Sequence, residues 1–129
     1  MKTVYLIDDD PVFVLLVEKM IGNEDPSLDI QTFSDGEQAI DRLKACATGG
    51  GALPDLVFLD LNMPVMDGWE FLDEYRSFYP TLGKTIALYI LSSTISPDDL
   101  KRSQKYPVVS DILIKPLTKD LLAQILARL

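Results

Sequence analysis

Short apolar runs that stop at acids or hydroxyls alternate along this chain with stretches whose apolar residues recur at helical spacing. The run Val4-Tyr5-Leu6-Ile7 stops at Asp8-Asp9-Asp10-Pro11, as a strand buried on both faces does when it feeds a helix. Asp10 as N-cap and Pro11 at the first helical position start that helix. Phe13, Leu16, Val17, Met20 and Ile21 supply its buried stripe, and Gly22 offers a stop. Leu28 to Phe33 alternates apolar with polar, which predicts a second strand with one exposed face near a sheet edge. Ser34 and Glu37 have capping-box spacing, and Ala39, Ile40, Leu43 and Ala47 form the stripe of a second helix, with a flexible loop over Thr48–Ala52.

Asp55 to Asp60 is a third apolar strand, followed by an irregular stretch over 61–68 and a helix from about Trp69 to Phe78. Ile86 to Leu91 is the fourth strand. After Ser92-Ser93-Thr94-Ile95-Ser96 comes a fourth helix from Pro97 to about Tyr106, poor in apolar residues beyond Leu100. Asp111 to Ile114 is the fifth strand and ends at Lys115-Pro116. Thr118 then caps a last helix carrying Leu121, Leu122, Ile125, Leu126 and Leu129. Strands apolar on both faces and alternating with helices predict an α/β fold, a doubly wound five-stranded parallel sheet. Right-handed crossovers give the strand order 2-1-3-4-5, with ligands bound beyond the carboxyl ends of the strands.

The chain has 129 residues, 14.4 kDa, which is one domain's worth, read as 1–129. Acids outnumber bases 20 to 12, and the net charge of −8 repels nucleic-acid backbones, so proteins or cations are the expected partners. Cys46 is the single cysteine and histidine is absent, which excludes an internal disulfide, a zinc site of the usual kind and a histidine acid–base pair. No apolar run approaches the ~18 residues of a membrane span, and no signal peptide is evident. A cytoplasmic protein with no membrane partner is expected.

The predicted topology brings Asp8, Asp9, Asp60, Ser92 and Lys115 to one edge. Two carboxylates ~4 Å apart repel by roughly 4 kcal/mol at an effective dielectric near 20, so such a cluster calls for a cation. An open, oxygen-only ligand set suits Mg²⁺ better than zinc or a caged calcium. Asp10 is read as a helix cap. Asp8 and Asp9 taken alone fit two bland charges near a helix N-terminus, but a third acid on a neighbouring strand end favours the metal reading.

Asp8-Asp9 after an apolar strand, Asp60 at the end of the third strand, Met63-Pro64 and Asp67-Gly68 in the next loop, Ser92, and Lys115-Pro116 together form one pattern. With it, essentially the whole chain resembles the receiver domain of two-component response regulators, in particular the stand-alone, chemotaxis-regulator-like receivers. The resemblance implies the flavodoxin-like (βα)5 sandwich and a phosphoryl group accepted on Asp60 from a phosphohistidine. The donor would be a sensor histidine kinase or a histidine phosphotransfer protein. It further implies Mg²⁺ placed by Asp8, Asp9 and Asp60, with the backbone carbonyl of Asn62 as a further ligand. Lys115 and Ser92 would contact the phosphoryl oxygens, Ser93 being the register alternative for the hydroxyl. Asn62 and Thr94 would influence hydrolysis, and Lys115-Pro116 would be cis. A signalling domain rather than a turnover enzyme is expected, its output a protein contact on the face of the fourth helix, fifth strand and fifth helix.

One residue departs from the pattern: Ile112 stands three positions before Lys115, where many receivers carry an aromatic that moves with the switch. A β-branched side chain has no ring to swing, which motivates a competing reading, an interaction module of receiver fold insensitive to phosphorylation. A small-molecule phosphatase using Asp60 is a third reading, disfavoured because 129 residues leave no room for a cap domain. Phe13, Met20, Phe58 and Phe71 are read as core, Cys46 as a buried residue with no redox task, and Trp69 as a probe of the Asp60 loop.

Overall fold

The structure is a computed structural model and describes residues 2–129. Strands β1 (Thr3–Ile7), β2 (Asp29–Phe33), β3 (Leu56–Asp60), β4 (Ala87–Ser92) and β5 (Asp111–Ile114) form one parallel sheet in the order β2-β1-β3-β4-β5. Helices α1 (Pro11–Glu24), α2 (Gly36–Ala45), α3 (Gly68–Phe78) and α4 (Pro97–Ser103) cross between strands, and α5 (Lys119–Ala127) closes the chain. The period of two along a strand divides the core into two layers. Val4, Leu6, Leu56 and Phe58 pack with Val17 and Ile21 of α1 and Leu122 and Ile125 of α5. Tyr5, Ile7, Val57 and Leu59 pack with Ile40 and Leu43 of α2 and Phe71 and Leu72 of α3. Each such side chain, fully buried, contributes roughly 1.5–3 kcal/mol, which is why β1 and β3 are apolar at nearly every position.

Several local expectations are corrected. Gly22 does not stop α1; the helix continues to Glu24 and the Asp25 N–H donates to the Ile21 carbonyl at 2.8 Å. A glycine in helical backbone costs only about 1 kcal/mol, and the buried Ile21 beside it outweighs that. Leu16 faces outward at 50% exposure, alongside Val12 and Leu15, because α1 rests on the sheet through a narrow stripe centred on Val17 and Ile21. The N-cap of α2 is Asp35, which accepts from the Gln38 N–H at 2.9 Å, while Ser34 donates to the Gln38 side chain. Serine and aspartate cap equally well, so spacing alone misplaced the cap by one residue. Thr48–Ala52 is not simply a loop: the chain widens into a π-helical turn over Cys46–Gly50 that buries Cys46 and leaves Ala47 exposed.

The fourth helix ends at Ser103, short of Tyr106, and an apolar stripe is not what holds it. Ser96 and Asp99 form a reciprocal capping box at its start. Past its end, the Tyr106 hydroxyl donates to Asp73 Oδ1 at 2.6 Å and the Tyr106 ring lies 5.8 Å from that of Trp69. The guanidinium of Arg102 sits 4.6 Å from the Trp69 ring and that of Arg76 4.8 Å from the Tyr106 ring. This alternating stack of cations and aromatics explains a helix with so few apolar residues.

Between β3 and α3 the chain turns under tight constraint. Val65 has φ 65° at the centre of a three-residue turn closed by the Met66 N–H on the Pro64 carbonyl at 2.7 Å. Asp67 and Glu70 form a capping box on α3. A Cβ on Gly68 would stand 2.6 Å from the Asp60 carbonyl oxygen and 2.8 Å from Leu61 Cα, so only glycine lets α3 approach the end of β3. Gly68→Ala is therefore expected to lower stability by about 1–3 kcal/mol. Gly22→Ala, with nothing within 4 Å of its new methyl group, should raise it by roughly 0.5–1 kcal/mol. Urea midpoints of the two variants measure both signs.

Candidate functional site

Parallel strands all run the same way, so their carboxyl ends meet at one edge of the sheet. The pairings Ile7 with Leu59, Asp60 with Leu91 and Ser92 with Ile114 set the ends of β1, β3, β4 and β5 within about a residue of one another. Asp8 and Asp60 continue the strand rows that face α1 and α5, and Lys115 continues the row of Leu113 on the same side. Asp8, Asp9 and Asp60 each offer a carboxylate oxygen within 4.8 Å of the others. Asp8 and Asp60 are buried, whereas Asp9 is exposed. Lys115 Nζ donates to Asp8 Oδ2 at 2.7 Å, lies 3.7 Å from Asp60 Oδ1 and sits 4.2 Å from the centre of the Phe13 ring. The Lys115-Pro116 bond is cis.

The charges do not balance. Burial, and after it the charge of Asp8, pushes the Asp60 carboxyl up to about 6, with Asp9 adding to the rise; the Lys115 ammonium and the Asn62 backbone N–H oppose it. Asp8 has a stronger local network, because its Oδ1 accepts from the Asp10 N–H at 2.9 Å while Oδ2 takes the lysine. An incompletely neutralised oxygen cluster, opening to solvent through Asp9, has the donor chemistry that a small hard cation prefers.

Ser92 is placed differently. It is fully buried and its Oγ donates to the Thr94 carbonyl at 2.9 Å. It continues the row of Leu88 and Ile90, which faces the opposite layer from Asp60. Ser93, Thr94 and Asn62 are exposed. Ile112 is half-buried, paired with Ile90 in the same layer as Ser92. Asp10 caps α1 as expected, accepting from the N–H groups of Val12 and Phe13 at 3.0 and 3.3 Å. Phe13 packs on the core as its spacing predicts, but its contact with Lys115 was not read from the sequence. The signal available was its place, three residues into a helix that begins at the acid cluster.

Because the folded-state pKa of Asp60 lies above its ordinary 3.8, folding favours the protonated acid. Stability from this group is fully present below about pH 4 and lost as pH rises through about 6. Without divalent cations, Asp60→Asn should stabilise the protein at pH 7 by up to about 3 kcal/mol, and the gain should vanish near pH 4. Denaturation curves of both proteins at the two pH values test the sign.

The family model described as response regulator receiver domain matches residues 4–127. The chain is 31% identical over 115 residues to the probable methanogenesis regulatory protein FilR2 of Methanothrix harundinacea, a match covering 89% of this chain and 72% of FilR2. Other curated relatives are longer, and the matches span 15% to 32% of their length. Among solved structures, a two-component response regulator from Cytophaga hutchinsonii superposes with a TM-score of 0.87 at 27% identity, over 99% of this chain and 96% of that one. The phosphorylated cyanobacterial phytochrome response regulator RcpA gives a TM-score of 0.80 at 32% identity, over 96% and 87%. The strand order, the acids at its carboxyl edge and a family match running nearly end to end agree, and the chain belongs to the response regulator receiver domain family.

Proposed function

We propose that this chain is a phosphorylatable receiver in which Asp60 is the acceptor, the donor is a phosphohistidine on a histidine kinase or phosphotransfer protein, and the output is a protein contact. The observation that carries the reading is the pair of buried carboxylates, Asp8 and Asp60, joined by Asp9 within 4.8 Å and touched by the Lys115 ammonium. In the proposed step an Asp60 carboxylate oxygen attacks phosphorus as the P–N bond to imidazole breaks, and the departing nitrogen takes up a proton. The chain contains no histidine, so the donor must be a separate protein or segment. RcpA, 32% identical, is known as a phosphorylated protein, which supports the same chemistry here.

The residues present fit Mg²⁺: Asp8, Asp9 and Asp60 would hold it together with the Asn62 carbonyl. Bound there, it would offset the repulsion between the acids and the incoming phosphoryl oxygens. Lys115, 3.7 Å from Asp60 Oδ1, supplies a second positive group to those oxygens. Ser92 gives up the Thr94 carbonyl and turns its hydroxyl to a phosphoryl oxygen. That rotation is the proposed switch, because Ser92 belongs to the layer that packs against α2, α3 and Ile112. Asn62 and Thr94, both exposed, would influence how fast water hydrolyses the acyl phosphate.

A second reading has its own observation. Ile112 is aliphatic and half-buried against Ile90, so a module that binds its partner regardless of phosphorylation fits that side of the sheet. Partner affinity with and without beryllofluoride separates the two; equal affinities favour the passive module.

The acceptor chemistry is tested by intact mass after incubation with Mg²⁺ and acetyl phosphate. A single added phosphoryl group is expected, absent in Asp60→Asn and absent without Mg²⁺. Failure of both this adduct and a beryllofluoride complex would sink the phosphoacceptor reading. Millimolar Mg²⁺ alone should raise the melting temperature of the native chain at pH 7 and shift Asp60→Asn less, since a ligand bound only by the folded state stabilises it.

A further inference from the structure

We infer that Phe13 is a positioning residue for Lys115, holding the ammonium over its ring face so that it stays beside Asp60 when Asp8 is drawn to a metal; this rests on the phosphoacceptor reading above. Lysine is a compact charge on a flexible stem, and it stays in place only where something seats it. The backbone of Lys115 is held by its N–H on the Ser92 carbonyl at 2.9 Å, but β5 is an edge strand whose Ile114 is 63% exposed, so the ammonium at the end of the stem depends on the groups it meets. Among the described residues the ammonium meets Asp8 Oδ2 at 2.7 Å, Asp60 Oδ1 at 3.7 Å and the centre of the Phe13 ring at 4.2 Å.

Those neighbours are not equivalent. In the proposed chemistry Asp8 and Asp60 would hold the metal and the phosphoryl group, so the hold of Asp8 on Lys115 would weaken once Asp8 served as a metal ligand. Of these three contacts, the ring is the one whose charge does not change during the reaction. Its negative face attracts a cation without competing for carboxylate oxygens.

The ring is also fixed in place. Pro11 and Asp10 start α1 directly after the acids, the Phe13 N–H donates to Asp10 Oδ1 at 3.3 Å, and the Asp10 N–H donates to Asp8 Oδ1 at 2.9 Å. The acids and the ring are thus parts of one capped helix start. Phe13, Val14, Val17 and Phe58 line an apolar cavity that also reaches Asp8 and Asp60, and the low-dielectric wall strengthens the attraction between ring and ammonium.

The test uses the full chain, with Phe13→Leu, Phe13→Tyr, Lys115→Ala and the double variant Phe13→Leu/Lys115→Ala. Beryllofluoride affinity is measured at saturating Mg²⁺, and Mg²⁺ affinity separately, both by titration calorimetry. Phe13→Leu should weaken beryllofluoride binding by about 3- to 30-fold, the range of a cation–π contact from exposed to desolvated sites. Mg²⁺ affinity should move less than about twofold, Phe13→Tyr should restore binding, and in the Lys115→Ala background Phe13→Leu should add nothing. An equal loss in that background would show that Phe13 acts through packing alone and overturn the inference, as would full beryllofluoride affinity in Phe13→Leu. A second measurement stands apart from phosphoryl chemistry: the ε-methylene protons of Lys115 should carry an upfield ring-current shift in the native protein that Phe13→Leu abolishes. If the native chain binds no beryllofluoride, the acceptor reading falls, and absence of that shift would overturn the seat itself.

Discussion

The burial of two carboxylates, Asp8 and Asp60, beside the exposed Asp9 at the carboxyl edge of the sheet is the central constraint that this fold accommodates. Asp8 and Asp60 are kept buried although the nearest cation, Lys115, touches one closely and the other at 3.7 Å. The cost shows in the Asp60 carboxyl, raised mainly by burial and then by Asp8. What sustains it is the sheet beneath: β1 and β3 have both faces covered by packed apolar side chains. A stable scaffold holding an unbalanced site gains affinity for whatever cation or charge-compensated group relieves it.

The sheet separates the acid cluster from the layer that contains Ser92 and Ile112. Asp8, Asp60, Lys115 and Phe13 lie on the side of α1 and α5, while Ser92, Ile112, Trp69 and Tyr106 belong to the layer of α2 and α3. In the proposed switch, a signal from Asp60 would have to pass from one layer to the other. Two links between the layers are present among the described residues: Ser92, one residue past the Leu91 that pairs with Asp60, and Gly68, whose N–H donates to the Leu61 carbonyl at 2.9 Å just past Asp60. Gly68 is followed by Trp69, which stacks with Arg102 of α4 and with Tyr106. Ile112 has no ring, and that stack joins the start of α3, just past the loop that follows Asp60, to Arg102 of α4 and to Tyr106.

Much of this was legible in the chain. Apolar runs ending in Asp8 and Asp60 announced buried parallel strands, another apolar run ended at Lys115, and parallel strands share one carboxyl edge, so the cluster followed from topology before any distance was known. Local helix limits were less legible. Ser34 and Asp35 are equally good caps, Gly22 suits a helix end as well as an interior, and α4 has almost no apolar stripe to read. Each of those was decided by packing energies larger than the local preference.

By itself the sequence determined which strands are buried, their order and which polar residues gather at the sheet edge, because periodicity and chain handedness are properties of the covalent chain. Tertiary structure alone decided how those residues face one another. Lys115 lies on Asp8 and over Phe13, Ser92 bonds Thr94 on the far side of the sheet, and Tyr106 rather than an apolar stripe anchors α4. Such choices depend on side-chain distances of a few ångströms between segments up to 107 positions apart. No one-dimensional pattern encodes them, since electrostatic and aromatic contacts fall off within that same distance.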